Sequence, residues 1–258
     1  MNIEEKKDRR RTAGFMAAFA VFIVLFIAAA YFVSVVLTNH FSELSEGEKM
    51  IPVSGEKSFR TVVIDPGHGG EDGGSSCGEV LEKDLNLAEA NDVRDILRLM
   101  GIPVSMTREE DKAVYDMYGD LDDYSGKKKI YDLKNRVRFA TEADGIYLGI
   151  HMNKFPEEKY RGLQVYYSGN NEESAKIASV IQSDAAQRLQ PWNGRETKRA
   201  TSAIFVLDRL RTPAVLVECG FLSNPEDLAE LTDPSYRARL AALIASSVAK
   251  YEAEQSGY

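Results

Sequence analysis

The sequence predicts a single α/β domain built on a largely parallel sheet and preceded by one transmembrane helix. Three observations carry this reading. The segment Ala13 to Leu37 is uncharged for 25 residues, long enough to cross a hydrocarbon core of roughly 30 Å. From residue 60 onward, short apolar runs of strand length alternate with stretches of helical periodicity, the pattern of βα units on a mostly parallel sheet. Finally, 258 residues with 44% hydrophobic and 28% charged content can bury one well-packed domain, and that balance excludes a disordered chain.

The N-terminal elements follow from charge. Lys6, Lys7, Arg9, Arg10 and Arg11 form a basic segment over residues 1–11, and the residues after the apolar span are mixed in charge. The positive-inside rule therefore keeps the N-terminus cytoplasmic and puts everything after about residue 40 outside. A cleaved signal peptide cut near Ala28-Ala29-Ala30 is the alternative, but the apolar run continues through Tyr31-Phe32-Val33, beyond a usual signal core. The expected organisation is a basic cytoplasmic segment 1–11, a membrane anchor 12–38, a polar linker 39–58, a domain 59–252 and a tail 253–258.

Within the domain, TVVID, IPVSMT, GIYLGIH, LQVYYS, AIFVL and AVLVEC read as buried strands. A helix starts near Asp84, where Leu85, Ala88, Val93, Ile96, Leu97 and Met100 share an apolar face and Gly101 supplies the stop. Further helices are expected at Asp132–Ala143, Glu172–Leu189 and Ser235–Tyr251, and Asn224-Pro225-Glu226 reads as an N-cap followed by a first-turn proline.

A net charge of −8 leaves no electrostatic footprint for nucleic acid. Two cysteines, Cys77 and Cys219, are too few for a disulfide framework and match no zinc-knuckle spacing, so both are expected to be unligated rather than bridged.

The chemistry concentrates at strand ends. VVIDPGHGGEDGG lacks the spacing and the lysine of a phosphate-binding loop, and Asp65, Glu71 and Asp72 would repel an anion. His68 in that loop and His151 at the end of GIYLGIH both follow strands, so they emerge on the carboxyl rim where open α/β sheets place their sites. One such histidine alone is more often bonded to a backbone carbonyl; two in equivalent places point to a metal. A hydrolytic zinc site takes a third protein ligand and keeps one position open. Glu82 in LEKDLNL is the best candidate, although an acid near a helix N-terminus also has an ordinary explanation in the helix dipole. Glu218 ends the apolar run AVLVE, at the rim where a general base is required. The ligand spacing forms no compact motif, so pattern alone leaves the metal reading open.

The segments VVIDPGHGGEDGG, EKDLNLAEANDVRDILRLMGIPVSMTR, LKNRVRFA, GIHMN, GLQVYYS and PAVLVECGFLSN, in this order over nearly all of residues 60 to 251, resemble the zinc-dependent N-acetylmuramoyl-L-alanine amidases of bacterial cell walls. The resemblance implies a twisted six-stranded sheet flanked by helices, one zinc ion held by His68, Glu82 and His151, and Glu218 as catalytic acid/base. It also implies peptidoglycan as partner and a bacterial membrane location. A membrane-anchored chain with a short connection after His151 is most similar to the family members that prepare spore cortex for germination. Lys154 to Leu163 is too short for the inserted helix that covers the zinc in the family's division amidases, and no wall-binding repeat is expected after the last helix. Control then falls to timing, location or a regulatory protein partner.

In the implied reaction, Glu218 takes a proton from the water that attacks the lactyl carbonyl and returns one to the departing amine of L-alanine. Asn153, Lys198 and Arg199 are candidate substrate contacts, the basic pair for stem-peptide carboxylates. A zinc peptidase acting on the stem and a non-catalytic wall-binding protein are the rival readings.

Overall fold

The computed structural model describes residues 59–256; the expected basic segment, anchor and linker up to residue 58 lie outside the described residues, as do the last two positions. Among the described residues no helix is long and apolar enough to cross a membrane.

The apolar runs form strands because nearly every one of their side chains is covered. Strands β1 (Val62–Pro66), β4 (Val104–Met106), β5 (Ile146–Asn153), β6 (Gln164–Tyr167), β7 (Lys198–Arg199) and β8 (Ala214–Phe221) make one six-stranded sheet in the order β4-β1-β5-β8-β6-β7. All neighbours run parallel except β6 against β8. A separate hairpin, β2 (Ser76–Cys77) with β3 (Val80–Leu81), was not expected from the sequence. It turns at Gly78, whose φ of 57° suits a residue without Cβ.

The two faces of the sheet are unequal. Helices α1 (Glu82–Leu99), α3 (Glu172–Arg188), α5 (Pro225–Thr232) and α6 (Pro234–Ser256) share the large core with Val62, Ile64, Leu148, Ile150, Val215 and Val217. Among the described residues, the opposite face carries only α2 (Lys128–Ala143) and the short α4 (Phe205–Arg209), which pack on Val63, Tyr147, Ala214 and Leu216. Because strand side chains alternate with a period of two, His151 follows Tyr147 and Glu218 follows Leu216 onto this thinly covered face. Their strands are in register, His151 opposite Glu218. The fold thus leaves an opening at the carboxyl rim, where both residues sit.

Two expectations are corrected. AIFVL is no strand: Phe205–Arg209 is helical, with Val206, Leu207 and Leu210 buried. A five-residue apolar run has no period long enough to tell a strand from a turn and a half of helix. The sixth strand is instead the exposed pair Lys198–Arg199, which has no apolar signature. The last helix also extends to Ser256, through residues read as a tail. Asn224 caps α5 as expected, accepting from the amides of Glu226 and Asp227 ahead of a first-turn proline.

Glu89, inside α1, is fully buried and neither of its oxygens has a hydrogen-bond partner among the described residues. Burial drives its pKa well above the usual carboxylate value; Asp92 adds to the rise, Arg237 opposes it, and the buried thiol of Cys219 faces the same region. The folded state therefore holds this proton while the unfolded chain releases it near pH 4.5, so stability falls as pH rises above that value. Glu89→Met should flatten this part of the pH dependence and stabilise the domain by about 1–3 kcal/mol at pH 8, with little effect at pH 4, as read by urea denaturation across pH.

Candidate metal centre

His68 sits in the loop after β1 with a φ of 61°, a left-handed conformation unusual for a residue with a Cβ. Two buried arginines hold the loop in place. Arg136 of α2 pairs with Asp65 and with Asp132 (2.7 Å) and donates to the carbonyls of Pro66 (2.9 Å) and His68 (2.7 Å). Arg108, just beyond β4, donates to the carbonyls of Pro66 (3.0 Å), Gly67 (2.9 Å) and Lys83 (2.9 Å). Asp65 is fully satisfied, accepting also from Thr107 and Tyr147. Burial opposes ionisation of Asp65, but Arg136 and these hydroxyls outweigh it and hold its pKa low. Gly67 is required because a Cβ there would fall 2.1 Å from the His151 ring.

Glu82, the first residue of α1, reaches the same point from the large face. Its Oε1 lies 3.2 Å from His68 Nε2 and 3.0 Å from His151 Nδ1, while Oε2 accepts from the Ser75 amide at 2.8 Å. One ligand atom from each of His68, Glu82 and His151 falls within 4.8 Å of the other two. The far nitrogen of His68, Nδ1, meets Asp72 Oδ2 at 2.9 Å, the carboxylate–imidazole contact that fixes tautomer and ring orientation in metal sites. Burial disfavours charge on Glu82, but the two imidazoles outweigh it and hold its carboxyl far below the usual range, so it stays ionised. Two imidazole nitrogens and one carboxylate oxygen form a donor set that fits a metal ion, and among the described residues no fourth His, Cys, Asp or Glu joins the group.

Glu218 completes the centre. Its Oε2 is buried with no hydrogen-bond partner among the described residues. Burial pushes its pKa up to about 7, helped by Glu82 and opposed by both histidines. Glu218, His68 and His151 line one cleft of about 280 Å³, which the apolar stretch Ala203 to Val206 and Asp65, Arg136 and Tyr147 line as well.

The other expected contacts are placed elsewhere. Asn153 ends β5, where its Oδ1 accepts from the Lys154 amide; it does not line the cleft. Lys198 and Arg199 do not line this cleft; they lie on the edge strand, beside Tyr166 and Tyr167, with Arg199 packed over Gly169. Because β6 runs antiparallel to β8, that position is level with Val215 and Leu216, below the rim that bears Glu218. Cys77 and Cys219 are both free and neither joins the cluster. Burial pushes the Cys219 thiol up, away from a ligating thiolate. Sequence reasoning missed Asp72, Arg108, Arg136, Asp132 and Tyr147. The block LKNRVRFA contained Arg136, but an arginine in a helix carries no sequence signal that it is buried.

Residues 62–250 match the N-acetylmuramoyl-L-alanine amidase family model, Amidase_3. The chain belongs to this family. The germination-specific N-acetylmuramoyl-L-alanine amidase of Bacillus subtilis is 34% identical over 83% of this chain and 88% of its own length. The CwlD amidase of Clostridioides difficile, solved in complex with the GerS lipoprotein, is 32% identical with a TM-score of 0.69, covering 74% of this chain and 98% of that one. AmiC2 of Nostoc punctiforme is 30% identical with a TM-score of 0.61, covering 74% and 96%. The amidase is thus an enzyme that hydrolyses the amide between N-acetylmuramic acid and L-alanine in peptidoglycan, which sets aside the peptidase and wall-binding readings.

Because Arg136 neutralises two buried carboxylates at once, Arg136→Met should cost about 3–5 kcal/mol in urea denaturation. Adding Asp65→Asn should recover part of that loss, since it removes the charge left unpaired; strictly additive losses would show that the pair is not coupled.

Proposed function

We propose that the amidase holds one zinc ion through His68, Glu82 and His151, and that Glu218 is its general base and acid. The observation that carries this is the convergence of those three ligand atoms within 4.8 Å beside a buried, unpartnered carboxylate oxygen. Bound zinc supplies Lewis acidity toward the scissile carbonyl and lowers the pKa of water to the neutral range.

The residues of the chain do the rest. Asp72 holds the proton on His68 Nδ1, leaving Nε2 as the ligating atom. Glu218 Oε2 accepts the proton of the attacking water, since it has no competing donor to surrender first. Burial, which raises the pKa of Glu218, favours its holding that proton until it passes to the departing alanine nitrogen, as general acid–base catalysis needs. The apolar wall from Ala203 to Val206 keeps bulk water from one side of this exchange.

We place the enzyme at the outer face of a bacterial membrane, tethered through residues 12–38, with a role in spore cortex. The likeness to a germination-specific amidase over most of both chains supports the cortex role. That CwlD was captured with a lipoprotein supports a protein partner for this chain also. The loop from Lys154 to Leu163 holds no helix, so a covering helix in that place is absent among the described residues and control by a partner is the simpler arrangement.

His68→Ala and His151→Ala should each lose bound zinc, by elemental analysis, together with activity. Glu218→Gln should retain zinc near one per chain while kcat falls by about 10²–10⁴-fold on purified wall. Mass spectrometry of the products should find muramic acid freed of peptide and peptides with an L-alanine N-terminus. Activity of the Glu218 variant within about threefold of the parent, under 1 kcal/mol of barrier, contradicts the assigned role.

A further inference from the structure

We infer that Lys129 is a specificity-determining residue that reads the acidic group next after L-alanine in the stem peptide; the inference rests on the catalytic centre proposed above. A second cleft of about 190 Å³, lined by Glu71, Asp72, Tyr115 and Lys128, adjoins the one that holds Glu218. Lys129 and Asp132 line both, so Lys129 stands at the border of the two clefts.

Among the described residues two Lys or Arg side chains line the catalytic cleft, Arg136 and Lys129, and they differ in availability. Arg136 is buried and committed to Asp65, Asp132 and two backbone carbonyls. Lys129 has 62% of its side chain exposed and a single hydrogen bond, to Asp72 Oδ2 at 2.5 Å. An ammonium carries three donors, so two remain free for a ligand without breaking the Asp72 contact.

The direction of the substrate follows from charge. On one side of the scissile amide lies a sugar, which offers neutral hydroxyls. On the other lies the peptide, whose residue after L-alanine is a glutamate joined through its side-chain carboxyl, leaving its α-carboxyl either free or amidated. A residue spans at most roughly 3.6 Å, so this α-carboxyl lies within one or two residue lengths of the cut. In a rim crowded with Glu71, Asp72, Asp132 and Glu218, an anionic group is repelled except where Lys129 receives it. Lys128 does not substitute, because it lines only the outer cleft and not the one that holds Glu218. The peptide therefore runs along the start of α2, and the sugar leaves past Ala203 to Val206.

The test compares disaccharide-tripeptides that carry D-glutamate or D-isoglutamine after L-alanine, cleaved by the zinc-loaded full-length chain. The parent enzyme should favour the free carboxylate by about three- to fivefold in kcat/KM, the size of one exposed charge contact, and the preference should shrink as salt rises. Lys129→Met should abolish the preference and Lys129→Arg should keep it. A purely structural role through Asp72 and His68 would lower both rates in parallel and leave their ratio unchanged, and that result overturns the inference. Equal rates on the two substrates for the parent overturn it as well. Cleavage of neither substrate overturns the proposed centre along with it.

Discussion

Arg136 is the tie on which the site depends. It reaches from α2 to the end of β1, neutralises Asp65 and Asp132, and grips the carbonyls on either side of Gly67. Buried ion pairs contribute little net stability, because desolvation consumes most of the attraction. Their value here is directional: a planar guanidinium with several fixed donors sets the path of a loop that local propensity would not choose. The φ of 61° at His68 costs on the order of 1–3 kcal/mol and persists only where its surroundings over-determine it. Arg108, gripping the same loop from β4, supplies the second restraint.

The unequal faces of the sheet divide the work. The large face, sealed by α1, α3, α5 and α6, contains most of the buried apolar side chains and therefore most of the stability. The thin face, covered among the described residues by α2 and α4 alone, leaves the carboxyl rim open, and the cleft lies there. Glu82 links the two. It belongs to a helix of the large face yet turns its carboxylate to the histidines at the rim. The acid-rich rim suits a metal cation, and the same charges are the reason the accessible Lys129 is inferred to meet an anionic substrate.

Most of the sheet was legible because buried strands announce themselves as apolar runs bounded by turn residues. The ends of the apolar runs GIYLGIH and AVLVE also put His151 and Glu218 at the carboxyl rim, while their direct pairing across β5 and β8 is visible only in the structure. Elements without such a signature were not readable. Lys198–Arg199 is an exposed edge strand held only by its neighbour, and Phe205–Arg209 is a short helix whose apolar run imitates a strand. Among the site residues, those that would touch the metal were legible from residue type and strand ends. Asp72, Arg108 and Arg136 were not, since their roles arise from contacts 4, 41 and 71 residues away in sequence, to His68, Gly67 and Asp65. Lys198 and Arg199 show the same limit: a basic pair is visible in sequence, but the antiparallel course of β6 that sets its level in the sheet is not.

The central claim is that the arginine-held loop builds the ligand set before any metal arrives. The direct measurement is a pair of crystal structures of the amidase, metal-free and zinc-loaded. The expected result is one zinc on His68, Glu82 and His151, with His68 left-handed in both and loop Cα shifts of no more than about 1 Å. A loop from Pro66 to Ser75 that refolds on loading, or zinc held by other side chains, would contradict it.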